Sequence, residues 1–310
     1  MTALICGSFA YDTIMTFDGK FKDHIMPDRV HMLNVAFLVP ELQRNFGGTA
    51  GNIAYNMKLL GGDGLAMATV GADFGGYREW LNKHGINDKY VKTIDSEYCA
   101  QAYITTDMED NQITAFHPGA MNHAHTQSVP TDEGIRMGIV APDGRDGMIE
   151  HARQFADAGI PFMFDPGQGL PMFDGNDLEW FIDKATWVAV NDYEAGMLEE
   201  KTGLSRQQIG EKVEALIVTL GGEGSVIYAD EEVHVEPVKP AAIKDPTGCG
   251  DAYRAALLTG LSEGKDWKTA GRMASLMGSI KVASTGPQNH SLTRDEFAKQ
   301  FKDAFGVALD

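Results

Sequence analysis

Short apolar runs alternate with amphipathic stretches along most of this chain, and few folds accommodate that alternation. Residues 4–9, 65–70, 138–141, 162–164, 187–190 and 216–220 read as buried strands. Between them, residues 52–60, 77–84, 147–158 and 193–202 carry helical periodicity. Strand, helix, strand, joined by short Gly, Pro and Asp turns, predicts βαβ units and a mainly parallel sheet covered by helices on both faces. From Asp251 to about Phe305 the pattern is almost wholly helical, with breaks near Gly264 and at Gly286-Pro287. Two stretches depart from the rhythm. Residues 12–44 are polar and irregular, and residues 101–116 alternate across an Asp-Asn pair as a hairpin does. Two such inserts can combine into a small sheet over the end of the large one where open α/β sheets bind ligands. The expectation is one core domain over residues 1–310, with a discontinuous lid formed by about 12–44 and 98–118.

Charge narrows the function. Lys plus Arg number 26 against 44 Asp plus Glu, a net charge of −18. Such a surface repels a nucleic-acid backbone and anionic membranes. No apolar run approaches the ~18 residues of a spanning helix. The opening MTALICGSFAYD lacks a basic leader segment and reads as mature protein. Cys6, Cys99 and Cys249 are too few and too scattered for a disulfide scaffold or zinc knuckle. The expectation is a cytoplasmic protein.

The strongest motif is Asp245-Pro246-Thr247-Gly248-Cys249-Gly250-Asp251-Ala252, a tight turn opening directly into a helix over residues 252–261. Side-chain-free glycines let successive N–H groups converge at a helix N-terminus, which makes an anion site. Asp251 sits at its rim, where a carboxylate repels the anion unless it takes a proton from an attacking hydroxyl. The plainer reading is a helix cap. A second cluster, Phe46-Gly47-Gly48-Thr49-Ala50-Gly51-Asn52, opens another helix. Gly47 and Gly48 permit close approach of a ligand, and Asn52 offers a donor and an acceptor suited to a vicinal diol. The spacing is not that of a dinucleotide fingerprint, and Gly19-Lys20 and Gly264-Lys265 lack the Walker context.

Asn191 and Glu194 stand in an N-x-x-E pattern at the end of a strand. One neutral and one charged oxygen, acting through water, suit Mg²⁺, and the alternative is an N-cap followed by an exposed glutamate. Thr219, Gly221, Gly222 and Gly224 follow the next strand, either against phosphates or as a strand-end turn. Asp12 follows the first strand, either to accept hydroxyl protons or as a turn residue. Phe116 offers a flat apolar face to a purine, or packs inside the lid. Cys249, at a helix N-terminus, is expected to have a depressed thiol pKa and to react with bulky thiol reagents, or to be an inert filler.

These residues carry a resemblance. GGTAGNIA near the N-terminus and DPTGCGDAYRAA near the C-terminus resemble the two signatures of the ribokinase-like (PfkB) carbohydrate and nucleoside kinases. The GSFAYD start, GADFGG, NDYE and TLGGEG extend the resemblance to the whole chain. Within that family it is most similar to bacterial adenosine kinase, through Phe17, Gly19 and Phe21 and the AFLV and AFHPGAM segments. Cys249 departs from the small residue common there.

The resemblance implies a three-layer α/β/α kinase of purine salvage that converts ATP and adenosine to ADP and AMP. It implies Asp251 as general base for the nucleoside 5′-hydroxyl, with N–H groups of Gly248, Cys249 and Gly250 around the transferred phosphoryl. Asp12, Asn52 and Gly48 would hold the ribose, and Ser8 would approach the purine. Thr219, Gly221, Gly222 and Gly224 would line ATP. Mg²⁺ is implied at Asn191 and Glu194, K⁺ near Asp245 and Thr247, and a lid-to-lid homodimer. A sugar kinase acting on ribose or fructose is the alternative within the fold; Phe9, Phe37, Leu38 and Phe116 favour an apolar slot for a base. From a different class, His117, His123 and His125 could hold zinc in a metal-dependent hydrolase, with His151 or His234 adding ligands. That reading leaves both glycine motifs unexplained. A binding module that kept the fold and lost catalysis is opposed by the intact Asp251.

Overall fold

The computed structural model describes residues 2–25, 34–109, 111–131 and 134–309. Residues 26–33, within the expected first lid insert, and Asp110, in the expected hairpin turn, lie outside the described residues. The strands are β1 Thr2–Cys6, β2 Ala10–Thr16, β3 Glu41–Gly47, β4 Asp63–Gly71, β5 Tyr90–Ile94, β6 Ala100–Thr106 and β7 Gln112–His117. They continue as β8 Ile135–Val140, β9 Phe162–Phe164, β10 Trp187–Asn191, β11 Ala215–Thr219, β12 Ser225–Tyr228 and β13 Glu232–Val235. The helices are α1 Phe21–His24, α2 Thr49–Leu59, α3 Gly75–Lys83, α4 Arg145–Asp157 and α5 Gly175–Lys184. After them come α6 Asp192–Thr202, α7 Arg206–Lys212, α8 Cys249–Ser262, α9 Trp267–Val282 and α10 Arg294–Phe305.

Nine strands form one sheet in the order β13-β12-β11-β10-β9-β8-β1-β4-β5. All neighbours from β11 to β5 are parallel, and the antiparallel pairs are β11–β12 and β12–β13 at one edge. The central strands read as continuous apolar runs because side chains alternate between two buried faces. Ala3 and Ile5 of β1 and Ile217 of β11 enter one core, with residues of α2, α3, α8, α9 and α10. Leu4 and Cys6 of β1 and Leu216 and Val218 of β11 enter the other, with α4, α5, α6 and α7. That split produces three layers. Close packing of α8 on α9 depends on small residues: a Cβ on Gly260 would lie 3.0 Å from Ala270.

The second sheet has four strands in the order β3-β2-β6-β7. Strand β2 pairs antiparallel with β3 and parallel with β6, and β6 pairs antiparallel with β7. The irregular stretch after Asp12 is therefore partly regular strand. Its polarity reflects exposure, since Glu41 to Arg44 all face solvent. Phe17 stacks on Phe21 at 6.0 Å, and Phe37 tilts against both, so the F-x-G-x-F lead builds a local aromatic cluster.

Candidate active site

The carboxyl ends of β8, β9, β10 and β11 open into a cleft of about 960 Å³, whose lining includes Pro142, Asp165, Asn191, Thr219 and Asp251. Strand carboxyl ends are where open parallel sheets leave a crevice, because each chain turns there from sheet to helix.

Helix α8 starts at Cys249, three residues before the expected start, with Gly248 as its N-cap at φ +78°. Gly248, Cys249 and Gly250 all line the cleft. Asp251 therefore occupies the first turn and is not the helix cap. Its Oδ2 accepts from Asn52 Nδ2 at 2.8 Å. Burial pushes the Asp251 carboxyl up, the Asn52 bond and Arg254 pull it down, and Asp12 pushes it up again. Asn52 is itself fixed: its Oδ1 accepts from Gln288 Nε2 at 2.9 Å. Gln288 Nε2 also donates to the Tyr77 hydroxyl at 2.6 Å, and Gln288 Oε1 accepts from Trp80 Nε1 at 3.0 Å.

Asp12 lies inside β2, not in a turn, and opposes Asn45 of β3 and Ala102 of β6. Ala102 in turn opposes Phe116 of β7. Residues opposed across strands point to one face, so Asn45, Asp12, Ala102 and Phe116 form a row. Asp12 and Phe116 are two strand spacings apart, roughly 10 Å, with only a methyl group between them. Phe116 is 54% exposed, which excludes packing within a lid core. Burial and the Asp245 charge push the Asp12 carboxyl up to about 6.

Other expectations change. A Cβ on Gly48 would meet Ala10 N and Ser8 O at 2.5 Å, so this glycine serves the chain's own close approach rather than a ligand's. The Ser8 hydroxyl is committed to the start of α2, accepting from Thr49 N at 3.3 Å. Phe9 is no slot residue, because it packs at 5.0 Å against Tyr77 in the core. Leu38 is 86% exposed. Cys249 departs from the expected depressed thiol pKa: burial pushes its thiol up to about 11 and outweighs the Lys281 charge.

Asn191 and Glu194 form a reciprocal capping box at the start of α6, each side chain accepting from the other's backbone N–H at 2.8 Å. Glu194 is nonetheless not freely exposed, its side chain showing 15% of its surface. The cap uses Oε2 and leaves Oε1 for a hydrated cation. Thr219, Gly221, Gly222 and Gly224 all line the cleft. Gly224, at φ +94°, also makes a tight turn against Val235.

His123 and His125 lie on a 3-10 segment, Gly119–Thr126, and neither lines the cleft. Among the described residues no cluster of three or more His, Cys, Asp and Glu could hold a metal ion. The zinc expectation has no support in this arrangement.

Arg254 and Asp165 were not assigned a role from the sequence. Arg254 Nε meets Asp165 Oδ2 at 2.5 Å, with Glu194 3.9 Å from Nη2. Burial opposes the Arg254 charge, but Asp165, Glu194 and Asp251 outweigh it. The only sequence signal was Arg254's position three residues after Asp251, on one helix face. Gln288 carried no signal beyond its place in the Gly286-Pro287 break.

The arrangement places a helix N-terminus and the Asp251 carboxylate side by side in one cleft. The chain's residues 12–294 match the model of the pfkB family of carbohydrate kinases. It is similar to a nucleoside kinase of Methanothermobacter thermautotrophicus, at 30% identity over 98% of this chain and 96% of that one. Among solved structures it is similar to Burkholderia thailandensis nucleoside kinase in complex with inosine: TM-score 0.90, 49% identity, 99% of both chains. The ADP-inosine complex of that protein gives a TM-score of 0.87 at 51% identity, covering 99% of this chain and 97% of that one. With a matching family model over most of its length and the fold to go with it, this chain belongs to the pfkB family of carbohydrate kinases.

Proposed function

We propose that the chain is an ATP-dependent nucleoside kinase that phosphorylates the 5′-hydroxyl of a purine nucleoside, with adenosine as the expected acceptor. The observation that carries this is Asp251, held by Asn52 at 2.8 Å beside the Gly248–Gly250 turn. Asp251 takes the 5′-hydroxyl proton as that oxygen forms its bond to the γ-phosphorus and the bridging bond to ADP breaks. Backbone N–H groups of Gly248, Cys249 and Gly250 stabilise the charge on the moving group, the main requirement of phosphoryl transfer.

Asp12 and Asn52 hold the ribose hydroxyls, with Gly48 shaping the backbone between them. The Asp12–Phe116 row spans a ribose and its base, so Phe116 stacks on the purine while Ser8 shapes the floor through its backbone. Thr219, Gly221, Gly222 and Gly224 run along ATP. Asn191 and Glu194 hold Mg²⁺ through water; when bound, that ion offsets the phosphate charge. The four-stranded sheet acts as the lid and excludes water.

The name of the M. thermautotrophicus relative and the inosine held by the B. thailandensis protein support a nucleoside acceptor. The test is ADP release with Mg-ATP across adenosine, inosine, guanosine, cytidine, ribose and fructose. Purine nucleosides are expected to give the highest kcat/KM, adenosine foremost. A free sugar that exceeds every nucleoside would overturn the reading in favour of a sugar kinase.

A further inference from the structure

The anion-hole turn is tethered from behind by a buried lysine. Lys281, in the last turn of α9, is 0% exposed. Its Nζ donates to Asp245 O at 2.7 Å and to Ser284 O at 3.2 Å, and lies 4.0 Å from Asp245 Oδ2. The Asp245 carboxylate completes the joint: Oδ1 accepts from Thr247 N at 2.8 Å and Oδ2 from Gly286 N at 2.7 Å. One ammonium thus holds the start of the 245–250 turn against the 284–286 turn. The Asp245 oxygens, beside which the resemblance places K⁺, are thus already engaged by the ammonium. A second cation there would meet the ammonium at contact distance, and two like charges that close repel. The residues present do not fit a monovalent metal ion.

We propose that the Lys281 ammonium is this protein's built-in monovalent cation, a positioning residue that holds the Gly248–Gly250 turn in place without K⁺. Its reach is visible nearby. The Lys281 charge pulls the Cys249 thiol down against burial, so its field extends to the first residue of α8. The role of Lys281 in turnover rests on the kinase reading; its occupancy of the cation seat does not.

Two measurements at constant ionic strength separate those claims. Thermal melting in choline, Na⁺, K⁺ and NH₄⁺ chlorides is expected to leave the wild-type Tm unmoved. Lys281→Ala, which vacates the seat, is expected to gain stability from K⁺ or NH₄⁺. Lys281→Met, which fills the seat without charge, is expected to gain none. In turnover, the wild type stays flat across the series, Lys281→Ala in choline loses about tenfold or more, and K⁺ or NH₄⁺ restores most of it. A wild-type Tm or turnover that climbs with K⁺ would overturn the proposal. So would a Lys281→Ala protein that is fully active in choline, or folded but not rescued. Should Lys281→Ala fail to fold, the wild-type series decides. Should no acceptor be phosphorylated, the melting series still reads the seat.

Discussion

Asp251→Asn replaces one carboxylate oxygen by an amide nitrogen and tests both the chemistry and the electrostatics of the site. The asparagine can still present Oδ1 to Asn52 Nδ2, so the 2.8 Å bond has a replacement acceptor. What is lost is the base. General-base catalysis contributes about 10²- to 10⁴-fold, or about 3–5 kcal/mol of barrier. The expected outcome is a fall in kcat of that size, with nucleoside Kd held within a few-fold because the ribose contacts remain. Stability should move the opposite way. Burial raises the Asp251 carboxyl, so the folded state favours its neutral form and the charge costs stability at neutral pH. Removing it is expected to leave Tm unchanged or higher near neutrality, with the gain fading as the pH falls into the carboxylate range. Steady-state ADP release, calorimetric nucleoside titration and thermal melting of one preparation check all three. Near-normal kcat would refute the assignment of the base. A large drop in Tm would refute the claim that the charge is a cost.

Asp12 follows the same sign. With its folded pKa raised to about 6, its contribution to stability is fullest below the unfolded value and is lost as pH rises through about 6. Asp12→Asn is therefore expected to stabilise the protein above pH 6 by at most about 3 kcal/mol, with no gain in acid, as measured by melting against pH. It is also expected to weaken nucleoside binding, since a neutral amide accepts less strongly from two hydroxyls. Gln288→Leu strands Asn52 Oδ1 and Trp80 Nε1, at about 1–3 kcal/mol each, and should lower Tm and raise the nucleoside KM together. Cys249, pushed up to about 11, is expected to alkylate with iodoacetamide near pH 7.5 more slowly than free cysteine. A faster rate would show that the helix N-terminus dominates after all.

Local pattern was enough for the βαβ rhythm, because a strand buried on both faces must be apolar at every position. Residues 187–190 of β10, all apolar and buried, show this directly. Elements without such a signature were missed. Strand β5 is only partly buried, and β13 is a polar edge, so neither reads as a core strand. Helix α5 was also missed, although Leu178, Phe181 and Ile182 are buried at helical spacing. The Glu41–Gly47 strand is solvent-facing along its first four residues and looked irregular for that reason.

The sequence by itself determined the three-layer sheet and the two glycine turns that open α2 and α8, because each follows from backbone requirements written in neighbouring residues. Tertiary structure alone decided which groups touch. Asn52 meets an aspartate 199 positions away, and Gln288 reaches the same asparagine across 236. It also set the surroundings of the Cys249 thiol, whose burial pushes its pKa up. Long-range contact and desolvation depend on what the whole chain packs around a group, and no local spacing encodes that.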